Sequence, residues 1–336
     1  MFEKDLVGID INSDKISMLI GNKYKVQFGT IIDTPKGTFE NDSITDIKGI
    51  VEVVKPILKK AKVKAKDVAF VVRGQDLIVR HMSLPMAKDE AVMRDSVDFE
   101  LRQFIGDRID EYYFDYEVIH YDKNDAGGNA QILIVACERK KIEDYIELGK
   151  SLGLNVKAID IYANTMSRVI RNLKQSVTKG IRYIGVMDIE KNSTAMSIVD
   201  WGKLAMEKYQ GYGVANATDN KFNSSIQYNE FLDSINLIDV GATDERVERF
   251  FKDVTSQYNS LIQYFTAGKV RKNLDRIFIV GSGTKIRGIE QYLSVSMNNR
   301  IGKTLEFTDL KNSVKCPKKV CLKDYIFPYG LLLRRE

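Results

Sequence analysis

Two stretches of the chain, 178 residues apart, read as copies of one another. Gly8-Ile9-Asp10-Ile11 opens one and Val186-Met187-Asp188-Ile189 opens the other. Without a gap, Asp10 falls on Asp188, Ile11 on Ile189, Met18 on Met196, Ile20 on Ile198 and Lys25 on Lys203. Each copy is a run of β-type residues, an aspartate, a polar turn and a second alternating run. A unit that occurs twice builds no solenoid, which needs about three short units or more. The pattern predicts an α/β protein of two related halves, each opening with a hairpin that carries one acid. Hairpins of this kind facing each other across a cleft would form a phosphate-and-metal site.

The 336 residues suffice for two lobes or several subdomains with a substantial core. Hydrophobic residues make up 44% and charged residues 29%, the balance of a soluble globular protein. The longest apolar runs, such as residues 132–137, have strand length and cannot span a bilayer. The first residues include Glu3 and Asp5 and show no signal-peptide pattern, so the expected location is the cytoplasm. Cys137, Cys316 and Cys321 are an odd set in a long chain and read as reduced thiols. Only His81 and His120 could complete a zinc site around Cys316 and Cys321, and both read as structural strand residues.

The net charge is +5, from 51 basic and 46 acidic residues. Lysines cluster at Lys55, Lys59, Lys60, Lys62, Lys64 and Lys66, and again over 311–323. No aromatic residues interleave with the first run, so these read as solvated surface and no nucleic-acid partner is expected.

Along the chain, residues 6–32 predict two or three strands, and Ile47 to Leu58 recur at helical spacing, with Pro56 expected to kink or shorten that helix. Residues 77–157 predict strand, helix, strand, strand, helix, strand, with a break at Leu84-Pro85. Residues 158–161 predict a short strand and the rest up to 178 a helix. After the second hairpin, 214–242 is weakly patterned and polar. Thr243 is placed to cap a long helix faced by Val247, Phe250, Phe251, Val254, Tyr258, Leu261, Ile262 and Phe265. Residues 277–280 predict a buried strand that runs into Gly281-Ser282-Gly283-Thr284, with a helix from about Gly288.

Several catalytic patterns fail. Gly302-Lys303-Thr304 resembles the end of a phosphate-binding loop, but its first glycine would fall on Met297. Gly281 and Gly283 lack the third glycine of a dinucleotide fingerprint. No G-x-S-x-G elbow is present. What remains is a glycine-rich turn that lets a ligand approach the backbone. With it go Asp10 and Asp188, each where a strand enters a turn. Magnesium takes one or two carboxylates plus phosphates and water, so these two aspartates are its candidate ligands, through water.

Together, residues 6–20, 185–199 and 277–293 resemble the two phosphate segments and the adenosine segment of the actin-like ATPase fold, built from duplicated ribonuclease-H-like lobes. Within it the chain is most similar to the PilM family of type IV pilus assembly, which is related to the division protein FtsA. Arg80-His81-Met82-Ser83-Leu84-Pro85 before an acidic helix carries this resemblance, as do residues 114–119, 132–136 and 151–154, Asp160 with Ala163, and residues 329–334. The implied arrangement is lobe 1 (subdomain 1A) over 1–78, 158–180 and 319–336, and an FtsA/PilM-type inserted subdomain 1C over 79–157. Lobe 2 (subdomain 2A) would cover 181–218 and 272–318, and subdomain 2B would cover 219–271.

The resemblance implies a cytoplasmic scaffold peripheral to the inner face of the cytoplasmic membrane. It would bind the cytoplasmic tail of the inner-membrane protein PilN in a groove between 1A and 1C. It would thereby connect the inner-membrane pilus assembly complex to the pilus motor ATPases, with self-association allowed. ATP with Mg²⁺ is the implied ligand, controlling lobe closure with weak or absent hydrolysis. Its implied contacts are Asp10, Asn12, Ser13, Lys15, Asp188, Lys191, Asn192, Ser193, Gly211, Gly213, Ser256, Asn259, Gly281, Ser282, Gly283 and Thr284. The alternatives are an FtsA-like filament or division protein and a small-molecule kinase of the same superfamily.

The sequence departs from the family pattern at telling places. Asn12 stands where the family has a glycine, and Glu190 stands at the matching position of the second hairpin. A carboxylate about 4 Å from a phosphate charge costs on the order of 4 kcal/mol at an effective dielectric near 20. That is about half of a micromolar affinity. Ser256 and Asn259 replace the glutamate and arginine expected to face a nucleoside.

Overall fold

The computed structural model describes residues 4–62, 64–87, 89–121, 128–218, 222, 224–238, 244–267, 274–297, 301–302 and 304–334. The chain opens with three antiparallel strands, β1 (Leu6–Ile11), β2 (Lys15–Asn22) and β3 (Lys25–Asp33), followed by a short hairpin of β4 (Phe39–Glu40) and β5 (Ser43–Ile44). Helix α1 (Ile47–Lys60) then crosses to β6 (Asp67–Val72), which pairs parallel with β1. A three-stranded antiparallel unit follows, built from β7 (Ile78–Pro85), α2 (Glu90–Ile105), β8 (Tyr112–Tyr121) and β9 (Asn129–Glu138), in the order β7-β9-β8. Helix α3 (Arg139–Leu152) returns the chain to β10 (Asn155–Ile161), which joins β6 and completes a five-stranded sheet ordered β10-β6-β1-β2-β3.

Helices α4 (Tyr162–Arg171) and α5 (Gln175–Thr178) lead to the second sheet. That sheet consists of β11 (Tyr183–Ile189), β12 (Thr194–Asp200), β13 (Lys203–Gln210) and, after α6 (Ser225–Ser234) and α7 (Glu245–Thr266), β14 (Arg276–Val280). Helix α8 (Ile289–Ser296) and the C-terminal α9 (Ile326–Leu332) follow. No described helix is long and apolar enough to cross a membrane.

The sequence repeat is a structural repeat at single-residue resolution. In the first hairpin Leu6 faces Gly21 and Asp10 faces Ser17; in the second Ile184 faces Val199 and Asp188 faces Ala195. A β-bulge falls between Ile20 and Gly21 in one and between Ile198 and Val199 in the other. β1 has β6 as its parallel neighbour, just as β11 has β14. Such identity of register follows from the shared alternation, because slipping a strand by one residue would turn its buried face to solvent.

The apolar side chains bury in three groups. The first packs both faces of the five-stranded sheet under α1, α3, α4 and α9, the second packs α6, α7 and α8 on the second sheet, and the third lies between α2 and the β7-β9-β8 sheet. The three-stranded unit is tied to the second sheet by Lys203, whose Nζ donates to the Val118 and Ile119 carbonyls at 3.0 and 2.7 Å. His81 Nε2 lies 2.8 Å from the Leu204 carbonyl, and burial holds its imidazole below the usual value, so a neutral ring donates there. His81 is thus structural, as the sequence predicts.

Four expectations change. α1 is not shortened at Pro56 but continues through it, because Ile50, Val54 and Leu58 remain buried on one face and the proline removes only one N–H. β7 runs through Leu84-Pro85, because β7 is an edge strand and Pro85 is its last residue. The helix expected up to 178 is split at 172–174, where Leu173 bridges Leu310 and the Lys174 N–H donates to the Asp309 carbonyl. Residues 225–234, within the weakly patterned stretch, form α6, capped by the Ser224 hydroxyl and anchored by Tyr228 and Leu232. The expected cap Thr243 lies outside the described residues; Asp244 accepts from the Arg246 N–H at the start of α7. Lys303 and residues 122–127 of the polar turn also lie outside them.

Glycines set how closely α9 can lie on its neighbours. A Cβ at Gly330 would sit 2.3 Å from the Thr165 carbonyl oxygen of α4, and one at Gly8 would sit 2.7 Å from the Pro328 carbonyl oxygen. Gly330→Leu is expected to destabilise the protein by about 1–3 kcal/mol or more. A downward shift of the urea midpoint checks it.

Candidate functional site

The repeat carries its two acids to one place. Asp10 is the penultimate residue of β1, beside Val71 of β6, and Asp188 the penultimate residue of β11, beside Val280 of β14, and both carboxyl groups are buried. Between them lies a residue that the sequence reading missed. Arg73 follows β6 directly, is almost wholly buried, and donates from Nη2 to Asp10 Oδ1 at 2.6 Å. Its Nη1 lies 3.6 Å from Asp188 Oδ2, and its guanidinium lies over the Phe327 ring at 4.8 Å. Its signal in the sequence was a lone cation directly after the apolar run 68–72.

A second ion pair joins the turns. Lys15 Nζ donates to both oxygens of Glu190, at 2.8 and 2.9 Å, and Glu190 Oε2 accepts the Ser282 backbone N–H at 3.1 Å. Asn192 Nδ2 donates to Ser13 Oγ at 2.7 Å, again from one hairpin to the other. Each turn is closed by the same backbone bond, Asn12 N–H to the Lys15 carbonyl and Glu190 N–H to the Ser193 carbonyl, both 2.9 Å. The turn chemistry is thus conserved in the backbone and different in the side chains.

The other expected residues divide. Gly281 has φ +86, and a Cβ there would meet Asp188 Oδ1 at 2.4 Å; a Cβ at Gly283 would meet the Ile189 side chain at 2.6 Å. Thr284 Oγ1 donates to the Gly281 carbonyl, which shapes the same turn. Gly213 packs on the second hairpin, where a Cβ would lie 2.4 Å from the Glu190 carbonyl oxygen. The Lys191 ammonium lies 5.7 and 5.5 Å from the ring centres of Phe222 and of Tyr228, the second of which lines the cavity at the turns. Gly211 is exposed, near Gln75. Ser256 and Asn259 line a separate cavity with Tyr292 and Ser296, and Asn259 Nδ2 lies 3.4 Å from the Ser296 carbonyl oxygen. The cavity at the hairpin turns, about 330 Å³, is lined instead by Asp10, Lys15, Glu190, Tyr228 and Ser282.

The electrostatics follow from this packing. Burial pushes the Asp188 carboxyl up to about 8, the Glu190 charge adds to the effect, and Arg73 and Lys15 offset part of it. Burial also acts to raise Glu190, but Lys15, with Arg73 and the Ser282 bond, outweighs it and holds that carboxyl below the usual range. Burial raises Asp10 against the opposing pull of Arg73. Two cations, Arg73 and Lys15, thus face the carboxyl groups of Asp10, Asp188 and Glu190, and Asp14 lines the same cavity.

As arranged, these residues do not fit a nucleotide with Mg²⁺. The ammonium and the backbone N–H that a phosphate would use are bonded to Glu190. The place between the aspartates is held by a guanidinium. Among the described residues, no group of three or more His, Cys, Asp or Glu side chains could hold a metal, Cys316 and Cys321 included.

A second feature lies on the far side of β6. β10 is an edge of the five-stranded sheet and β8 an edge of the three-stranded sheet. Between them runs a groove with a cavity of about 630 Å³, floored by apolar groups that include Val72, Val135, Ile142, Ile146, Val156 and Ile159. Cys137 also lines it, and burial pushes its thiol up to about 12, so it is an unreactive apolar surface.

Removing one member of a buried pair leaves an uncompensated charge. Arg73→Ala is therefore expected to cost about 3–5 kcal/mol in urea denaturation, and Ser256→Ala less than about 0.5. The folded Asp188 value, about 8, lies above the unfolded carboxylate value of about 3.9. The folded state then binds the extra proton, so this group's stability is full below about pH 4 and declines as pH rises to about 8. Asp188→Asn is expected to remove that part of the decline, read as the difference between wild-type and variant urea midpoints across the window.

The family model for "Type IV pilus assembly protein PilM" matches residues 8–336. Among solved structures, a "PilM-PilN type IV pilus biogenesis complex" is 16% identical, covers 98% of each chain and has a TM-score of 0.79. MreB5 of Spiroplasma citri bound to ADP is 10% identical over 98% of this chain and 95% of its own, with a TM-score of 0.52. The ethanolamine utilization protein EutJ from Carboxydothermus hydrogenoformans is 11% identical over 99% of this chain and 90% of its own, with a TM-score of 0.51. These likenesses establish the actin-like ATPase fold.

Proposed function

The chain belongs to the family of the type IV pilus assembly protein PilM, and from that premise we propose that it is a pilus-assembly scaffold that holds the cytoplasmic tail of PilN between β8 and β10. The observation that carries this reading is the groove itself: an apolar floor flanked by two strand edges. An extended peptide fits such a place. Its backbone groups pair with an edge, and its alternate side chains enter the floor. The PilM-PilN complex of similar fold supports this choice of partner.

On this reading, residues 79–157 form the inserted subdomain 1C, and the groove runs between it and subdomain 1A. Tail binding would hold the chain against the inner face of the cytoplasmic membrane and connect the inner-membrane assembly complex with the pilus motor ATPases. Self-association remains compatible with it. ATP with Mg²⁺ enters this reading only for a state in which Glu190 has left Lys15 and Ser282. The fold is shared with an ADP-bound protein, so a nucleotide is the class of ligand such an opened cleft would take.

Ile142 and Ile146 are one helical turn apart on α3 and reach the groove floor while remaining partly exposed. Ile146→Glu is expected to weaken binding of a labelled PilN-tail peptide by about tenfold or more, since a carboxylate would be desolvated there. Fluorescence anisotropy reads the affinity, and an unchanged melting temperature shows that the fold is kept. No binding of the peptide to the wild type would sink the assignment of partner and groove.

A further inference from the structure

The second hairpin places a carboxylate where the cleft's anion donors converge. Glu190 is buried, and its oxygens accept from the Lys15 ammonium and the Ser282 amide. Lys15 comes from the first hairpin, Glu190 from the second, and Ser282 from the turn after β14. An ammonium from one half and a backbone N–H from a glycine-rich turn of the other are what a bound phosphate would bridge. Here a side chain of the protein bridges them. The adjoining contact from Asn192 to Ser13 brings the same turns together without any intervening group.

We propose that Glu190 is a built-in substitute for a nucleotide phosphate, which holds the two halves closed without nucleotide and excludes ATP with Mg²⁺ from the cleft. Three features support it. The Lys15 ammonium and the Ser282 N–H are already bonded to Glu190, so an incoming phosphate gains these two donors only by displacing a carboxylate tethered beside them, at high effective concentration. The displaced Glu190 would then stand next to the phosphate charge, with Asp10 close by, and like charges in a buried site repel strongly. Finally, the positions expected to face a nucleoside, Ser256 and Asn259, line another cavity, where Asn259 already contacts Ser296. A closed state stabilised from within needs no ligand with differential affinity for it.

The test uses the full chain and ATP with Mg²⁺ as the probe, with binding read by equilibrium dialysis and closure by small-angle scattering. The wild type should bind no ATP at millimolar concentration, and its radius of gyration should not respond to it. Glu190→Ala should bind at least about tenfold more tightly than the wild type, be more expanded without nucleotide, and contract when ATP with Mg²⁺ is added. Glu190→Gln keeps the side-chain shape and the bond to Ser282 without the charge, so it carries the binding test if the alanine variant does not fold. Wild-type binding as tight as that of the variants overturns the proposal. So does the failure of both variants to gain affinity, or a folded Glu190→Ala that is as compact as the wild type.

Discussion

Arg73 leaves the end of β6 with its guanidinium sealed between Asp10, Asp188 and the ring of Phe327. A charge at that depth loses its hydration, a penalty of several kcal/mol, and only close partners offset it. The partners come from different parts of the chain: Asp10 from β1, Asp188 from β11, and Phe327 from α9. Each must therefore arrive in place for the others to be tolerable. The C-terminal helix can form this floor only because Gly8 and Gly330 let its backbone approach β1 and α4. The arginine thus joins the two sheets beside an apolar core that itself runs from one sheet to the other.

The duplication explains the backbone of the site and not its charges. Register, bulge and turn hydrogen bond repeat residue for residue. These are set by strand alternation and turn geometry, which tolerate many side chains. The turn side chains have diverged into a complementary pair. Lys15 corresponds to Ser193, and Glu190 to Asn12, so the charge of this pair is supplied once by each turn. Two identical turns carrying the same charge would repel across the cleft; a lysine in one and a glutamate in the other attract.

What could be read from the sequence follows the same division. The hairpins are consequences of apolar periodicity, which is local, and the meeting of Asp10 with Asp188 was read from their equivalent places in the two copies. Glu190 was recognisable as a departure because the family pattern has a glycine at that turn position. Its bond to Ser282 was not, because it spans 92 residues and depends on how two turns meet. Arg73 belongs to neither copy, so no repeat pointed to it. Helix α6 was missed because only Tyr228 and Leu232 mark its buried face, too few for a periodic pattern.

The groove and the cleft are adjacent through a single segment of chain. Val72 lines the groove, and the next residue is Arg73. Lys141 of α3, whose Ile142 and Ile146 line the groove, is buried and donates to the Arg73 carbonyl at 2.8 Å and to both oxygens of Asp76. A ligand that moves α3 or the end of β6 therefore acts on the residue that holds the two sheets together. Contiguity of this kind transmits free energy only if the element has two arrangements and the ligand prefers one. If the ion pairs at the hairpin turns define one arrangement, breaking them defines the other. Linkage then makes the effect reciprocal: a tail that favours the closed cleft is itself bound more weakly when Arg73 or Glu190 is lost, by the same free energy that it contributes to closure.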